Sequence, residues 1–167
     1  ECRESDVDYL ILGNGSNVLA SDEGFSGVVI RLDGDFRRIS LVDDNTIYCG
    51  AGASLASLCK FALKCGLTGL EFGWGIPGSV GGAVFMNAGA YGGCMEQVVV
   101  SSSYYDRASG EIRTLCGEEH GFGVRKSVYQ TLPSAVILEA TLRLEKGDPE
   151  EILAQMRELA AKRRSTQ

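Results

Sequence analysis

Gly73-Trp74-Gly75-Ile76-Pro77-Gly78-Ser79-Val80-Gly81-Gly82-Ala83-Val84-Phe85-Met86-Asn87-Ala88-Gly89-Ala90-Tyr91-Gly92-Gly93 holds eight glycines in twenty-one residues and not one charge. Glycine at this density is costly in chain entropy, so the native backbone must need it. The usual needs are positive φ and an approach to a ligand too close for a Cβ. Successive backbone N–H groups in such a loop cradle polyanions, a pyrophosphate above all. Close packing in a bent sheet or solenoid is the competing explanation, and it predicts a regular glycine period. The spacing here is irregular. Gly75-Ile76-Pro77-Gly78-Ser79-Val80-Gly81-Gly82 reads as a turn feeding a short helix over Ser79 to Asn87, which is an anion site by geometry. The stretch therefore points to phosphate and cofactor binding.

Working outward, a second glycine loop lies upstream. Tyr9-Leu10-Ile11-Leu12 is a short apolar run with strand character, and Gly13-Asn14-Gly15-Ser16-Asn17 ends it. This is not a Rossmann fingerprint: the third glycine is missing, and Asp22-Glu23-Gly24-Phe25 does not read as the helix of a βαβ unit. A plain hairpin turn is the simpler reading of the loop alone. Two loops in one chain, each with several N–H donors and a hydroxyl (Ser16, Ser79), suit one pyrophosphate held between them.

Other elements follow from pattern. Val28 to Leu32 and Thr46 to Cys49 read as strands. Ser54 is a helix N-cap ahead of Leu55, Leu58, Cys59, Ala62 and Leu63, with Gly66 as the stop. Gln97 to Tyr105 and Glu111 to Leu115 form a hairpin about Arg107-Ala108-Ser109-Gly110. Val136, Leu138, Ala140, Leu142 and Leu144 alternate as one buried face of a strand. Asp148-Pro149-Glu150-Glu151 opens a helix that carries Ile152, Leu153, Met156, Leu159 and Ala160 on one face. The class is α+β, with strands in hairpins or meanders.

The 167 residues are 44% hydrophobic with a net charge of −6, which describes a globular chain. Basic residues are scattered until Lys162-Arg163-Arg164, so no nucleic-acid surface is expected. No apolar run spans a membrane, and the opening residues do not read as a signal peptide. Cys2, Cys49, Cys59, Cys65, Cys94 and Cys116 form no Cys-x-x-Cys pair, and His120 is the single histidine. No metal site is expected, and the thiols are expected to be reduced in a cytosol. The chain opens on Glu1 in mid-segment, as an excised piece of a longer protein would.

Other polar residues have ordinary readings. Arg125, in His120-Gly121-Phe122-Gly123-Val124-Arg125-Lys126-Ser127, reads from spacing alone as a loop arginine that is solvated or in a surface ion pair. His120 reads as an ordinary loop residue, Glu118-Glu119 as a solvated pair, and Glu71 as a local cap or partner. Asp22 and Glu23 flank a turn. No carboxylate pair, Ser-His-Asp set or Cys-His set assembles from spacing.

Three segments resemble the UDP-N-acetylenolpyruvoylglucosamine reductase family. The first is Leu12 to Asn17 followed by Ser21-Asp22-Glu23-Gly24-Phe25-Ser26-Gly27-Val28-Val29-Ile30. The second is Leu70-Glu71-Phe72 running into Gly75 to Val84 and Met86-Asn87-Ala88-Gly89-Ala90-Tyr91-Gly92. The third is Phe122 to Ser127, in the place of the family's Phe-x-Tyr-Arg-x-Ser. The resemblance covers nearly the whole chain. It implies an FAD-binding domain of the vanillyl-alcohol oxidase (PCMH) type, incomplete at its N-terminus. Residues 1–50 would be the end of the first FAD-binding subdomain and residues 51–167 the second, with the C-terminal substrate domain absent. It implies reduction of FAD by NADPH and hydride transfer to the enolpyruvyl group, giving UDP-N-acetylmuramate for the bacterial cell wall, in the cytoplasm. The partners are then a sugar-nucleotide substrate and NADPH, with no protein partner implied.

Carried over residue by residue, Gly13, Asn14, Gly15, Ser16 and Asn17 with Gly75, Ile76, Pro77, Gly78, Ser79, Val80, Gly81 and Gly82 would hold the FAD phosphates and isoalloxazine. Asn87, Ala88 and Gly89 would line the flavin, and Arg125 would face the substrate enolate. Val124 departs from the family's tyrosine and loses a hydroxyl. The family's N-terminal βαβ part, its serine proton donor and its glutamate have no counterpart here, so the chain by itself is expected to be inactive. The alternatives are an FAD-binding oxidase of the same fold and a non-catalytic ligand-binding module.

Overall fold

The structure, a computed structural model, describes residues 7–166. Cys2 and the chain's last residue lie outside that range. The central feature is an antiparallel five-stranded sheet. Its strands are β3 (Ile39–Leu41), β4 (Thr46–Gly50), β8 (Val99–Asp106), β9 (Glu111–Cys116) and β10 (Ala135–Arg143), in the order β3-β4-β10-β8-β9. The β8–β9 hairpin turns where the sequence predicts, with Asp106 opposite Glu111 and Gly110 at φ +79°. A simple succession of hairpins is not what forms, however. β10 inserts between β4 and β8, pairing Ala140 with Cys49 on one side and with Ser102 on the other. Val136, Ala140 and Leu142 are the buried side chains of this strand.

Two longer helices pack against each other. α1 (Leu55–Lys64) starts at Ser54, whose Oγ accepts from the Ser57 N–H, and stops at Cys65 with Gly66 at φ +65°. It buries Leu55, Leu58, Cys59 and Ala62. α3 (Pro149–Thr166) begins as expected, with the Asp148 carboxylate accepting from the Glu150 N–H at 2.8 Å and proline in the first turn. Ile152, Met156 and Leu159 are its buried face. β5 (Leu67–Thr68) pairs with β11 (Glu145–Lys146) and links the end of α1 to the segment before α3.

The N-terminal part is built differently. β1 (Tyr9–Ile11) and β2 (Val28–Ile30) are a parallel pair, Tyr9 beside Val28 and Ile11 beside Ile30. The loop after β1 is therefore no hairpin turn, and no helix occupies the connection to β2. The expected division at residue 50 falls at the end of β4. Both β3 and β4 share their sheet with the strands after it. Gly50 and Gly52 let the two parts meet: a Cβ on Gly50 would lie 2.1 Å from the Phe36 carbonyl oxygen, and one on Gly52 would lie 2.3 Å from that of Leu32.

The glycine stretch contains α2 (Val80–Phe85) and a two-residue hairpin between β6 (Gly89–Ala90) and β7 (Gly93–Cys94). Tyr91 (φ 55°) and Gly92 (φ 86°) form the hairpin's turn. Positive φ at both central residues is what the right-handed strand twist asks of such a connection.

Candidate functional site

The two glycine loops face each other. Asn14 Nδ2 donates to the Pro77 carbonyl at 3.4 Å. A Cβ on Gly13 would stand 2.5 Å from Ser79 Oγ, and one on Gly78 would stand 4.0 Å from Ser16 Oγ. Between them lies a cavity of about 830 Å³, walled by Leu10 to Val18, by Gly75 to Ser79 and by Gly81 to Ala83. Small-molecule sites commonly occupy roughly 300–1,000 Å³. The wall also carries Arg31, Arg125 and Arg163, and no aspartate or glutamate among the described residues. The chain as a whole has a net charge of −6, so this concentration of positive charge is local. It favours an anionic ligand.

The donors divide unevenly between the loops. None of the N–H groups of residues 13–17 donates to a protein acceptor among the described residues, and Gly15 adopts φ +70°. On the other side the Gly78 and Ser79 N–H groups also donate to no protein acceptor among the described residues, but those at the start of α2 do. The Val80 N–H donates to Ala53 O at 2.8 Å, the Gly81 N–H to Ala51 O at 2.9 Å, and the Gly82 N–H to Ser79 Oγ at 3.2 Å. Val80 is fully buried and stands behind the cavity wall. The absence of a Cβ at Gly81 is explained by packing, since one would lie 2.8 Å from Ala51 Cβ. At Gly78, which lines the cavity, a Cβ would meet no protein atom closer than 3.9 Å. Open space therefore surrounds Gly78, whereas Gly81 leaves room for Ala51.

Gly75, Ile76, Pro77, Ala88 and Gly89 line the cavity; Asn87 does not. Its side chain is buried and turned away. Oδ1 accepts from the Glu96 N–H at 2.9 Å, and Nδ2 donates to Gly123 O at 2.9 Å and to Glu96 Oε2 at 3.4 Å.

Arg125 is an exposed loop arginine with a side-chain partner. It sits at φ 52° in the tight turn Gly123–Lys126, and its Nη2 donates to Asn17 Oδ1 at 2.7 Å, joining this turn to the first glycine loop. Val124 beside it is 98% exposed.

Arg163 is a wall residue that the sequence reading missed. It reaches the cavity from the last turn of α3, donates to Trp74 O at 3.0 Å, and lies over the Tyr91 ring at 5.6 Å. Its presence in a basic run was the available signal, but nothing in the spacing places that run beside Gly75.

His120 is a correction. It is fully buried, not an ordinary loop residue. Nδ1 lies 2.8 Å from Gly117 O, which makes it the N–H donor, so Nε2 accepts from Ser102 Oγ at 2.7 Å. The Tyr129 hydroxyl completes the network at 2.7 Å from Ser102 Oγ, and the imidazole stacks on Phe122. This cluster is sealed from solvent and stands outside the cavity wall, so its role is structural. Burial pushes the Tyr129 hydroxyl up to about 12, against the Ser102 hydrogen bond. Cys49 and Cys59 are likewise pushed up to about 12 by burial, and the Glu71 carboxylate adds to the effect at Cys59. Glu71 is itself a local partner, accepting from Thr68 Oγ1 at 2.7 Å and the Gly69 N–H at 2.9 Å.

With loops, cavity and charge in this arrangement, the FAD binding domain family matches residues 1–115. The chain belongs to that family. It is 43% identical over 166 residues to a UDP-N-acetylenolpyruvoylglucosamine reductase of Heliobacterium modesticaldum, covering 99% of this chain and 52% of the relative. The Bacillus subtilis protein of the same name is 42% identical over 165 residues, covering 99% of this chain and 54% of the relative. The chain thus spans about half the length of these curated relatives. The crystal structure of UDP-N-acetylenolpyruvylglucosamine reductase from Thermus caldophilus matches with a TM-score of 0.85 and 40% identity, over 97% of this chain and 58% of that one. Cholesterol oxidase from Brevibacterium sterolicum shares the fold alone, with a TM-score of 0.61 and 14% identity over 87% of this chain and 31% of that one. The fold is accordingly the FAD-binding domain of the vanillyl-alcohol oxidase (PCMH) type. Among the described residues, no helix is long and apolar enough to cross a membrane.

Proposed function

We propose that this chain binds FAD without a covalent link in the cavity between its two glycine loops. In this reading it is the FAD-binding part of a UDP-N-acetylenolpyruvoylglucosamine reductase of the bacterial cytoplasm. The observation that carries the reading is the wall itself: two donor-rich loops and three arginines around a cavity with no carboxylate among the described residues. A dinucleotide diphosphate suits the N–H groups of residues 13–17, with Gly78 and Ser79 opposite. Gly78 supplies the space that a Cβ would fill. The flat ring system suits the apolar and small wall at Ile76, Pro77, Ala88 and Gly89. Neither histidine nor cysteine lines the cavity among the described residues, which favours this reading over an oxidase with covalently attached flavin.

FAD, when bound, supplies the hydride transfer from NADPH to the enolpyruvyl double bond. The chain's part in that step falls to Arg125. Hydride addition builds negative charge on the enolpyruvyl carboxylate system, and a guanidinium at the cavity edge gains more from that charge than from the ground state. Its present partner, Asn17 Oδ1, is neutral and is exchangeable for a carboxylate. Among the described residues no carboxylic acid lines the cavity to donate the final proton. The resemblance assigns that step to a serine and a glutamate, and the sugar nucleotide to a separate domain.

The test uses the protein as its gene encodes it and follows the flavin absorbance through both halves of the cycle. Arg125→Ala is expected to leave reduction by NADPH near normal and to slow reoxidation by substrate about a hundred- to thousand-fold. Arg125→Lys keeps charge without the planar fork and is expected to recover only part of the rate. Neither variant changes the backbone argument, because Arg125 already holds positive φ without being glycine. Reoxidation of Arg125→Ala at the parent rate would reduce Arg125 to a surface arginine.

A further inference from the structure

We infer that Asn87 is a positioning residue for Arg125, holding the Gly123–Lys126 turn so that the guanidinium stands at the cavity edge. The inference rests on the role proposed above for Arg125. Asn87 lies two residues beyond α2, just past its Met86 cap, at φ 42°, with its N–H donating to Val84 O at 3.2 Å. Glycine would satisfy that left-handed position more cheaply, and the surrounding segment uses glycine freely. The side chain must therefore earn its place elsewhere. Both ends of the amide are committed: Oδ1 to the Glu96 N–H, Nδ2 to Gly123 O across 36 residues of chain and to Glu96 Oε2. The group is 6% exposed, so these bonds form away from competing water.

The turn that Asn87 grips is stiff. Gly123 and Lys126 exchange two backbone hydrogen bonds, each 3.1 Å, leaving only Val124 and Arg125 at the tip. Fixing the Gly123 carbonyl thus fixes where Arg125 begins. Two further bonds hold the same segment: Ser127 Oγ donates to Phe85 O at 2.7 Å, and Gln130 Nε2 donates to Arg125 O at 2.9 Å. The bond from Asn87 and the bond to Phe85 both anchor the turn to α2 and its end, which also form the cavity wall. Displacement by about 1 Å of a group that stabilises a transition state can cost about a hundredfold in rate.

Two variants separate positioning from capping. Asn87→Gly keeps the left-handed backbone and removes every side-chain bond. Asn87→Asp is isosteric and keeps the acceptor for the Glu96 N–H, but it loses the donor to Gly123 and faces Glu96 with a like charge. In the protein as its gene encodes it, both are expected to keep flavin content and NADPH-driven flavin reduction. Both are expected to slow reoxidation by substrate, by up to about a hundredfold. Amide exchange at residues 123–127 is expected to quicken in both. The double variant Asn87→Gly with Arg125→Ala is expected to be no slower than Arg125→Ala alone, because a residue that acts only through Arg125 has nothing left to lose. Unchanged exchange at 123–127, unchanged reoxidation, or independent losses that multiply in the double variant would each overturn the inference. Arg125→Ala reoxidising at the parent rate would instead remove the role of Arg125 itself. The exchange measurement would then still report whether Asn87 holds the turn.

Discussion

The two sides of the cavity are built to different standards. The loop at Gly75–Ser79 stands on the main body, where Leu55, Leu58, Val80, Val84, Met95 and Leu142 are all at or below 1% exposure. The loop at residues 13–17 stands on β1 and β2, and no buried apolar residue precedes Ile47 among the described residues. Val28 and Val29 are 42% and 47% exposed, and Leu19 is 99% exposed. Yet the thin side offers five backbone N–H groups without protein acceptors among the described residues, while those at the start of α2 on the dense side are taken up by its own packing. Burial and ligand-binding capacity run in opposite directions here. A backbone that satisfies itself is rigid but has little left to give a ligand, and low-stability segments are where binding loops are drawn from.

The largest expected contrast is chemical. Thiols pushed from 9.0 up to about 12 at Cys49 and Cys59 hold about a thousandfold less thiolate than an ordinary thiol at neutral pH. Alkylation of the native chain should label exposed Cys116 and spare both until denaturant is added. The sign for stability follows. The folded state favours the neutral thiol, so this contribution is complete below about 9 and is lost as pH rises toward about 12. An alkaline titration of thermal stability reads it. Rapid labelling of Cys49 in the native chain would show that the dense body is less closed than described.

Next, Leu58→Ala on α1 should cost about 2–5 kcal/mol in denaturant unfolding, because the site is fully enclosed. Val29→Ala on β2 should stay within about 0.5 kcal/mol. Similar costs at the two positions would erase the distinction between the parts. Amide exchange sharpens it further. With FAD at a hundred times its dissociation constant, the N–H groups of residues 13–17 are expected to slow by up to about a hundredfold, a coupling of about 2.7 kcal/mol. Those of Val80 and Gly81, already bonded to Ala53 and Ala51, should change far less. The smallest effect is expected at Asp148→Ala, which removes one helix cap and should cost about 1 kcal/mol in the same unfolding measurement.

What was legible in the sequence tracks where each signal is stored. Caps and periodicity are local, so Ser54, Asp148, Gly66 and the alternation from Val136 to Leu144 place α1, α3 and β10 directly. β3 was not legible, because three residues, Ile39-Ser40-Leu41, carry no period and become a strand only by pairing with β4. The position of β10 between two hairpins is likewise a property of pairing partners. In the cavity, the glycine loops announce themselves by composition, but which N–H groups remain for a ligand depends on Ala51 and Ala53, far upstream. His120 and Asn87 show the same limit. Each is defined by partners 18 and 36 residues away, and a single polar residue has no period that could reveal them.

The most direct test of the central claim is FAD binding by the chain carrying Gly78→Val. Gly78 lines the cavity and a Cβ there would meet no protein atom closer than 3.9 Å, whereas one at Gly81 would lie 2.8 Å from Ala51 Cβ and confuse binding with packing. The parent chain is expected to take up FAD with a shifted visible absorbance. Gly78→Val is expected to keep the ligand-free melting temperature and to bind at least about tenfold more weakly, a loss of about 1.4 kcal/mol or more. Equal FAD affinity in the two proteins would contradict a site between the Gly13–Asn17 and Gly75–Ser79 loops.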